Sequence, residues 1–364
     1  MSRYNYDNKL AILIGVIALL GLIILSSAGV VEGQEKFGSS QYFLIHQILY
    51  GLIPGIILFV FASKLKYTFW RKISIVMLLG TIALLVLVLI PQLGFSVKGA
   101  QRWLRLGPIS FQPSEFLKLG IIVYLAAWFS RRDDKMKDWT YSAAPFFLIL
   151  GFISLLLIMQ PDIGTLCMIF SIAIVMYFAA GAPLKHIMAI MVIIVIALSI
   201  LVIVEPYRFD RIQTFFNPAS DIQGKSYHLR QALLGIGNGG VFGVGFGKSI
   251  QKLDFLPEPV GDSIFAVLVE ELGLVGGGIL ILLFLFLAMK MIKIAKNAPD
   301  TFSQLFVIGV FTWIIGQAFM NIAAISGLMP LTGIPLPLIS FGGSALASVF
   351  LALGIVNNIN KYTR

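Results

Sequence analysis

The sequence has one cysteine, Cys167, and three histidines, His46, His186 and His228. A lone cysteine inside an apolar run leaves no disulfide framework. Histidines so scattered give none of the Cys/His spacings of a zinc site. Charge is scarce as well: Asp, Glu, Lys and Arg make up only 12% of 364 residues. A soluble chain of this length could not hide a 58% hydrophobic composition in one core. Nucleotide motifs are missing too. Gly247-Lys248-Ser249 ends like a phosphate-binding loop, but Phe242 stands where its first glycine belongs. Gly243, Gly245 and Gly247 follow no strand, which argues against a dinucleotide turn. Ser340 has Leu338 where a nucleophile elbow needs glycine. No nucleotide cofactor and no nucleic-acid partner is expected.

What the chain does have is long apolar runs. About 18 to 20 apolar residues cross a bilayer as a helix. Ten such spans are expected, near 10–30, 42–62, 73–91, 113–130, 143–160, 163–181, 186–204, 262–289, 303–326 and 343–360. The first run is longer than the core of a signal peptide and reads as a retained helix. Alternation puts both termini on one face, and sixteen of the 27 Lys and Arg residues with them. That bias makes this face cytoplasmic and accounts for most of the +10 net charge. The expected fold class is an all-α polytopic membrane protein of about ten transmembrane helices. It forms one integral membrane domain, 1–364, with contacts to membrane lipids. A long extracytoplasmic loop, 205–261, joins the seventh and eighth helices.

Three outer connections stand out. Segment 91–113 and loop 205–261 are basic on the side where basic residues are usually few. A long ordered loop usually carries function. Segment 327–342 has no charge and is rich in Pro and Gly, so a re-entrant stretch packed among helices is expected.

Asp262 ends a glycine-rich stretch starting at Gly239 and begins the eighth span. It reads either as a helix cap or as a general base or cation ligand at the membrane surface. Asp254 and Glu258 lie close in sequence. Glu115 and Lys118, three residues apart after Pro113, share one helix face. They form either a structural ion pair or a pair in which Lys118 faces a lipid pyrophosphate. Lys98, Arg102, Arg105, Arg208, Arg211, Lys225, Arg230, Lys248 and Lys252 all fall outside. Anionic head groups explain some of them. Their concentration in two loops favours a phosphate site. Trp103 and Tyr207 read as interface anchors. Gln317 and Asn321, four apart, read as interhelical hydrogen bonds.

Several stretches resemble the shape, elongation, division and sporulation (SEDS) glycosyltransferases. They are Lys98-Gly-Ala-Gln-Arg-Trp-Leu, Phe111-Gln-Pro-Ser-Glu-Phe-Leu-Lys-Leu, Gln160-Pro-Asp-Ile-Gly-Thr and Phe216-Asn-Pro. Gly237-Asn-Gly-Gly, Phe255-Leu-Pro-Glu, Asp262, Glu270-Glu-Leu-Gly and Leu331-Thr-Gly-Ile-Pro-Leu-Pro-Leu-Ile-Ser-Phe-Gly-Gly-Ser follow in order. The likeness spans nearly the whole chain. Phe246-Gly-Lys-Ser-Ile-Gln-Lys is more similar to the FtsW branch than to the RodA branch. Three positions depart: Val260-Gly261 where relatives often have His-Thr, Ser263 where they often have Phe, and Phe341 where many have Tyr.

The resemblance implies a peptidoglycan glycosyltransferase of the bacterial cytoplasmic membrane. It would polymerise lipid II at the outer face, during division or elongation, with a class B penicillin-binding protein as partner. Asp262 is the candidate catalytic base, and also the candidate ligand of a divalent cation, Mg or Mn. Lys98, Arg102, Gln112, Ser114, Glu115, Lys118, Arg208, Arg211, Lys248, Glu258 and Ser340 are the candidate substrate-binding residues. Inversion at the anomeric carbon is the simplest outcome. A lipid II flippase and a non-catalytic scaffold are the alternatives.

Overall fold

The computed structural model describes residues 8–97, 99–107, 109–131, 139–204, 215, 226–253 and 255–363. The chain is a helical bundle. Its helices are α1 (Lys9–Ala28), α2 (Val30–Phe37), α3 (Tyr42–Lys64, with a π turn at Ile48–Leu52), α4 (Tyr67–Lys72) and α5 (Ser74–Val88). After a small sheet follow α6 (Pro113–Phe129), α7 (Trp139–Met159), α8 (Ile163–Ala179), α9 (Leu184–Val204) and α10 (Tyr227–Gly239). The last three are α11 (Ile264–Lys296), α12 (Thr301–Ile325) and α13 (Gly343–Asn360).

Each expected span coincides with one of these helices. Five of them, α1, α3, α11, α12 and α13, are long and apolar enough to cross a membrane by length and composition. Four shorter apolar helices and α6 lie at the other five expected positions. The multi-pass bacterial membrane reading follows from these apolar helices together with the family reported below.

Two helices sit at the centre. α6 and α13 are buried on nearly every side, which suits their apolar sequences. α13 packs closely on α3, and glycine makes the approach fit. A Cβ on Gly354 would stand 2.7 Å from the Phe59 carbonyl. In a membrane this kind of backbone approach replaces the hydrophobic drive between helices.

Two of the connections between helices are more structured than the sequence suggests. Segment 91–113 contains a three-stranded antiparallel sheet: β1 (Gly94–Val97), β2 (Ala100–Leu106) and β3 (Ile109–Phe111), in the order β1-β2-β3. The chain remains a helical membrane protein as expected, with this small sheet as an addition that the sequence does not announce. The sheet's alternation is too short to be distinguished from a basic loop. Loop 205–261 contains α10, which runs up to the glycine-rich stretch.

That stretch is tied to a break in α11. Gly273 leaves helical geometry at φ 69°, ψ −171°, a region open chiefly to glycine. The backbone groups released there pair with the loop. The Glu270 and Glu271 carbonyls accept from Val244 N (3.0 Å) and Gly245 N (3.1 Å). Leu274 N and Val275 N donate to the carbonyls of Gly240 (2.9 Å) and Val241 (3.2 Å). Buried side chains complete the clamp. Lys252 Nζ lies 2.7 Å from both Glu271 Oε1 and Ser27 Oγ, and Glu270 accepts from Ser249 Oγ.

Segment 327–342 has no helix and is buried from Leu336 to Ser340. It is packed among the helices, as its composition leads one to expect. Non-helical backbone at such a place needs internal hydrogen bonds, and side chains from two helices provide them. On α3, Gln47 accepts from Gly342 N (2.9 Å) and donates to the Ser340 carbonyl (3.2 Å). On α12, Gln317 donates to the Pro335 carbonyl and Asn321 to the Ile334 carbonyl, each at 2.8 Å.

Candidate functional site

A cavity of about 730 Å³ opens between the sheet, the first turns of α6 and α8, the 257–262 turn and the buried segment. Arg102, Gln112, Glu115, Lys118, Glu258 and Asp262 all line it. Six of the residues singled out from sequence therefore converge on one space.

The wall formed by α6 is built on charge. Pro113 occupies the first helical turn, where its missing N–H is harmless. Glu115 and Lys118 then point the same way and are almost fully buried. Lys118 Nζ donates to Glu115 Oε1 (2.9 Å) and Gln317 Oε1 (3.0 Å). It also sits 5.0 Å from the centre of the Trp313 ring, a favourable place for a cation. Trp313 Nε1 donates to the same Gln317 oxygen at 3.0 Å. The pair is an ion pair, as one reading had it, and it also lines the cavity. Glu115 Oε2 is buried with no hydrogen-bond partner among the described residues.

The sheet side is organised around Asp162. Its carboxylate caps α8 through Thr165 N (3.3 Å) and accepts from Ser114 Oγ (3.3 Å). Gln112 Nε2 donates to Ser114 Oγ at 3.1 Å. Arg102, on β2, bonds the carbonyls of Gln160 (3.1 Å) and Pro161. Its guanidinium lies 3.9 Å from Asp162 Oδ1.

Asp262 stands on the opposite wall. It is not the cap of α11, which begins two residues later; the N-cap is Ser263, which makes no side-chain cap bond. The main chain around Asp262 is fixed from two directions. Asn321 Nδ2 donates to the Asp262 carbonyl (2.8 Å), and Ser340 Oγ donates to the Gly261 carbonyl (2.7 Å). Glu258, on the same turn, takes a positive φ of 52°, a conformation that costs a non-glycine residue about 1 kcal/mol or more. The turn is held in shape by what surrounds it.

Other candidates fall elsewhere. Ser114 and Ser340 do not line this cavity; they orient Asp162 and the Asp262 turn. Lys248 is exposed on the glycine-rich loop, away from the cavity lining. Lys252 is buried in its ion pair with Glu271 and serves the loop clamp, not an open phosphate site. Lys98, Arg208 and Arg211, with Asp254, Tyr207 and Lys225, lie outside the described residues. Trp103 lines the cavity.

Three polar lining residues were not among the candidate site residues of the sequence. Asp162 stands in the Gln160-Pro-Asp-Ile-Gly-Thr stretch with no role assigned to it. His228 is a lone histidine on a short helix. Gln317 is a polar residue in an apolar span, and that polarity was its signal; its partner Lys118 comes from far along the chain.

The comparisons with known proteins agree over the full length. The family model described as cell cycle protein, covering FtsW, RodA and SpoVE, matches residues 8–364. Stage V sporulation protein E of Bacillus subtilis (strain 168) is 38% identical over 363 residues, covering 100% of this chain and 99% of that protein. A probable peptidoglycan glycosyltransferase FtsW of Geobacter sp. (strain M18) is 36% identical, covering 99% of this chain and 98% of that protein. A chain solved in a peptidoglycan synthase complex superposes with a TM-score of 0.81 at 26% identity, over 98% of both chains. The rod shape determining protein RodA of Thermus thermophilus superposes with a TM-score of 0.73, also at 26% identity, over 99% of this chain and 98% of that one. By motif order, by sequence over its whole length and by fold, this chain belongs to the FtsW, RodA and SpoVE family of cell cycle proteins.

Proposed function

We propose that this chain is a peptidoglycan glycosyltransferase that polymerises lipid II at the outer face of the cytoplasmic membrane, with Asp262 as general base. The observation that carries this reading is the placement of Asp262. It lines the same cavity as the buried Glu115–Lys118 pair, on a turn whose carbonyls are held by Asn321 and Ser340. The peptidoglycan glycosyltransferase and synthase names of its relatives support the substrate class. A class B penicillin-binding protein, which cross-links the product, is the proposed partner.

A sugar hydroxyl of one lipid II attacks the anomeric carbon of another chain end. Asp262 takes the hydroxyl proton as the new C–O bond forms. The bond from that carbon to the phosphate oxygen breaks, and the lipid pyrophosphate leaves with the electron pair. A pyrophosphate is a weak base, so it needs charge stabilisation more than a proton. One displacement on the face opposite the leaving group inverts the anomeric centre. The paired carboxylates of glycosidases are not required.

The lining has a charge deficit for such a substrate. Arg102 and Lys118 face four carboxylates: Glu115, Asp162, Glu258 and Asp262. Both cations already have acidic or carbonyl partners. A divalent cation, Mg or Mn, fits that donor set. Among the described residues no group of three or more His, Cys, Asp and Glu is placed to hold an ion alone. Asp262 would hold it together with the substrate's phosphates, and the ion would supply charge stabilisation. Lys98, Arg208 and Arg211 are further proposed phosphate contacts.

The test is glycan growth from labelled lipid II by the purified protein with its penicillin-binding protein in transpeptidase-inactive form. Wild type is expected to make polymer, and Asp262→Asn none while still folded and bound to its partner. Normal polymer from the variant removes Asp262 as the base.

A further inference from the structure

We propose that His228 is a positioning residue for the reaction, acting on Asp262 through Ser263. The proposal rests on Asp262 being the base.

His228 lies in the first turn of α10 and lines the cavity beside Pro257, Glu258, Gly261 and Asp262. Its Nε2 is 2.6 Å from Ser263 Oγ, and Ser263 is fully buried. The same hydroxyl is 2.8 Å from the Pro257 carbonyl and 3.5 Å from Asp262 Oδ1. A carbonyl only accepts, and a hydroxyl has one proton to give. Ser263 therefore donates to Pro257, and the short contact with His228 is a hydrogen bond only if Nε2–H is the donor. This sets the direction of the relay: His228 to Ser263 to Pro257.

The relay closes a loop of chain. Pro257 and Ser263 are the two ends of the turn that carries Glu258 and Asp262, and the Ser263 hydroxyl joins them. Within it Gly261 N (3.0 Å) and Ser263 N (3.2 Å) both donate to the Glu258 carbonyl. The turn includes the positive φ of Glu258, so it needs such ties. His228 is the one side chain of α10 in this relay. It also keeps the Ser263 hydroxyl directed at Pro257 and not at the neighbouring carboxylate. A hydroxyl turned away from Pro257 would leave that carbonyl without this bond and untie the two ends of the turn.

The experiment is steady-state polymerisation of lipid II by the full chain with its partner, for His228→Ala, His228→Gln, Ser263→Ala, the His228→Ala/Ser263→Ala double variant and Asp262→Asn. His228→Ala should lower kcat about tenfold with KM within about twofold, the pattern of a lost transition-state interaction. Glutamine can donate from its amide, so His228→Gln should recover most of kcat. Ser263→Ala should match His228→Ala, and the double variant should be no worse than either, because one relay is broken once. If His228→Ala does not fold, His228→Gln and His228→Met, similar in size, take over, and only the first has a donor. Wild-type kcat in His228→Ala, a rise in KM alone, equal kcat in the Gln and Met variants, or additive losses in the double variant overturns the proposal. Asp262→Asn separates the two readings: if it is inactive while His228→Ala is normal, only the role of His228 fails. If Asp262→Asn polymerises normally, the base assignment fails first.

Discussion

Asn321, near the C-terminal end of the apolar helix α12, donates one amide to two carbonyls, that of Asp262 and that of Ile334, each at 2.8 Å. One side chain thereby fixes the turn that carries the candidate base against the buried segment behind it. Asn321→Leu is similar in size and removes both bonds, leaving two carbonyls to find other partners. Each buried unpaired group costs about 1–3 kcal/mol. The expected result is a lower melting temperature and a fall in polymerisation of at least about tenfold, read mostly in kcat. Unchanged kcat would mean that the turn is held well enough by Ser340 alone.

Lys252 and Glu271 offer a test of the loop clamp. Lys252→Met leaves the Glu271 carboxylate buried beside Ser27 without its cation. Breaking one side of a buried pair costs about 3–5 kcal/mol. Combining it with Glu271→Gln should recover part of that loss. Thermal unfolding in nanodiscs reads both, and a Lys252→Met protein as stable as wild type would show the pair contributes nothing.

Gly273→Ala tests the break in α11. Its φ of 69° is unfavourable for alanine, and the new Cβ would stand 2.3 Å from the Val241 carbonyl. Alanine forced into a positive φ costs more than about 1 kcal/mol, and the clash adds to it. The glycine-rich loop should detach, seen as faster amide exchange at Val244 and Gly245. Protection equal to wild type at those two amides would contradict the pairing.

Lys118→Met should reduce polymerisation by more than about tenfold, since it removes a cation from a lining already short of positive charge and strands Glu115. Lys118→Arg is not expected to restore it, because a planar fork does not fit a site shaped for one point charge. Polymer yields from the two variants, each with melting checked, decide this.

Chelation addresses the cation. EDTA is expected to stop polymerisation, and Mg or Mn in excess to restore it, if the ion balances four lining carboxylates against two basic residues. Full activity in EDTA would point to the basic residues of the outer loops as the counter-charge.

Much of this was open to reading in the chain itself. Apolar runs of membrane length fix helices because lipid offers the backbone no other partner. Glu115 and Lys118 could be paired from a spacing of three, since both lie on one helix. The uncharged Pro/Gly stretch at 327–342 could only be a buried irregular segment. What the sequence could not determine is which distant residues complete each other. Asp262 looked like a helix cap, and its turn is instead held by Asn321 and Ser340. Lys252 looked like a phosphate ligand, yet Glu271 and Ser27 bury it. Asp162 and His228 gained a place in the site only when α8 and α10 brought them to the cavity. Local rules act over a turn or two of helix, so they are written in neighbouring letters. The site is made of contacts between segments up to hundreds of residues apart, and only the packing of the bundle decides those.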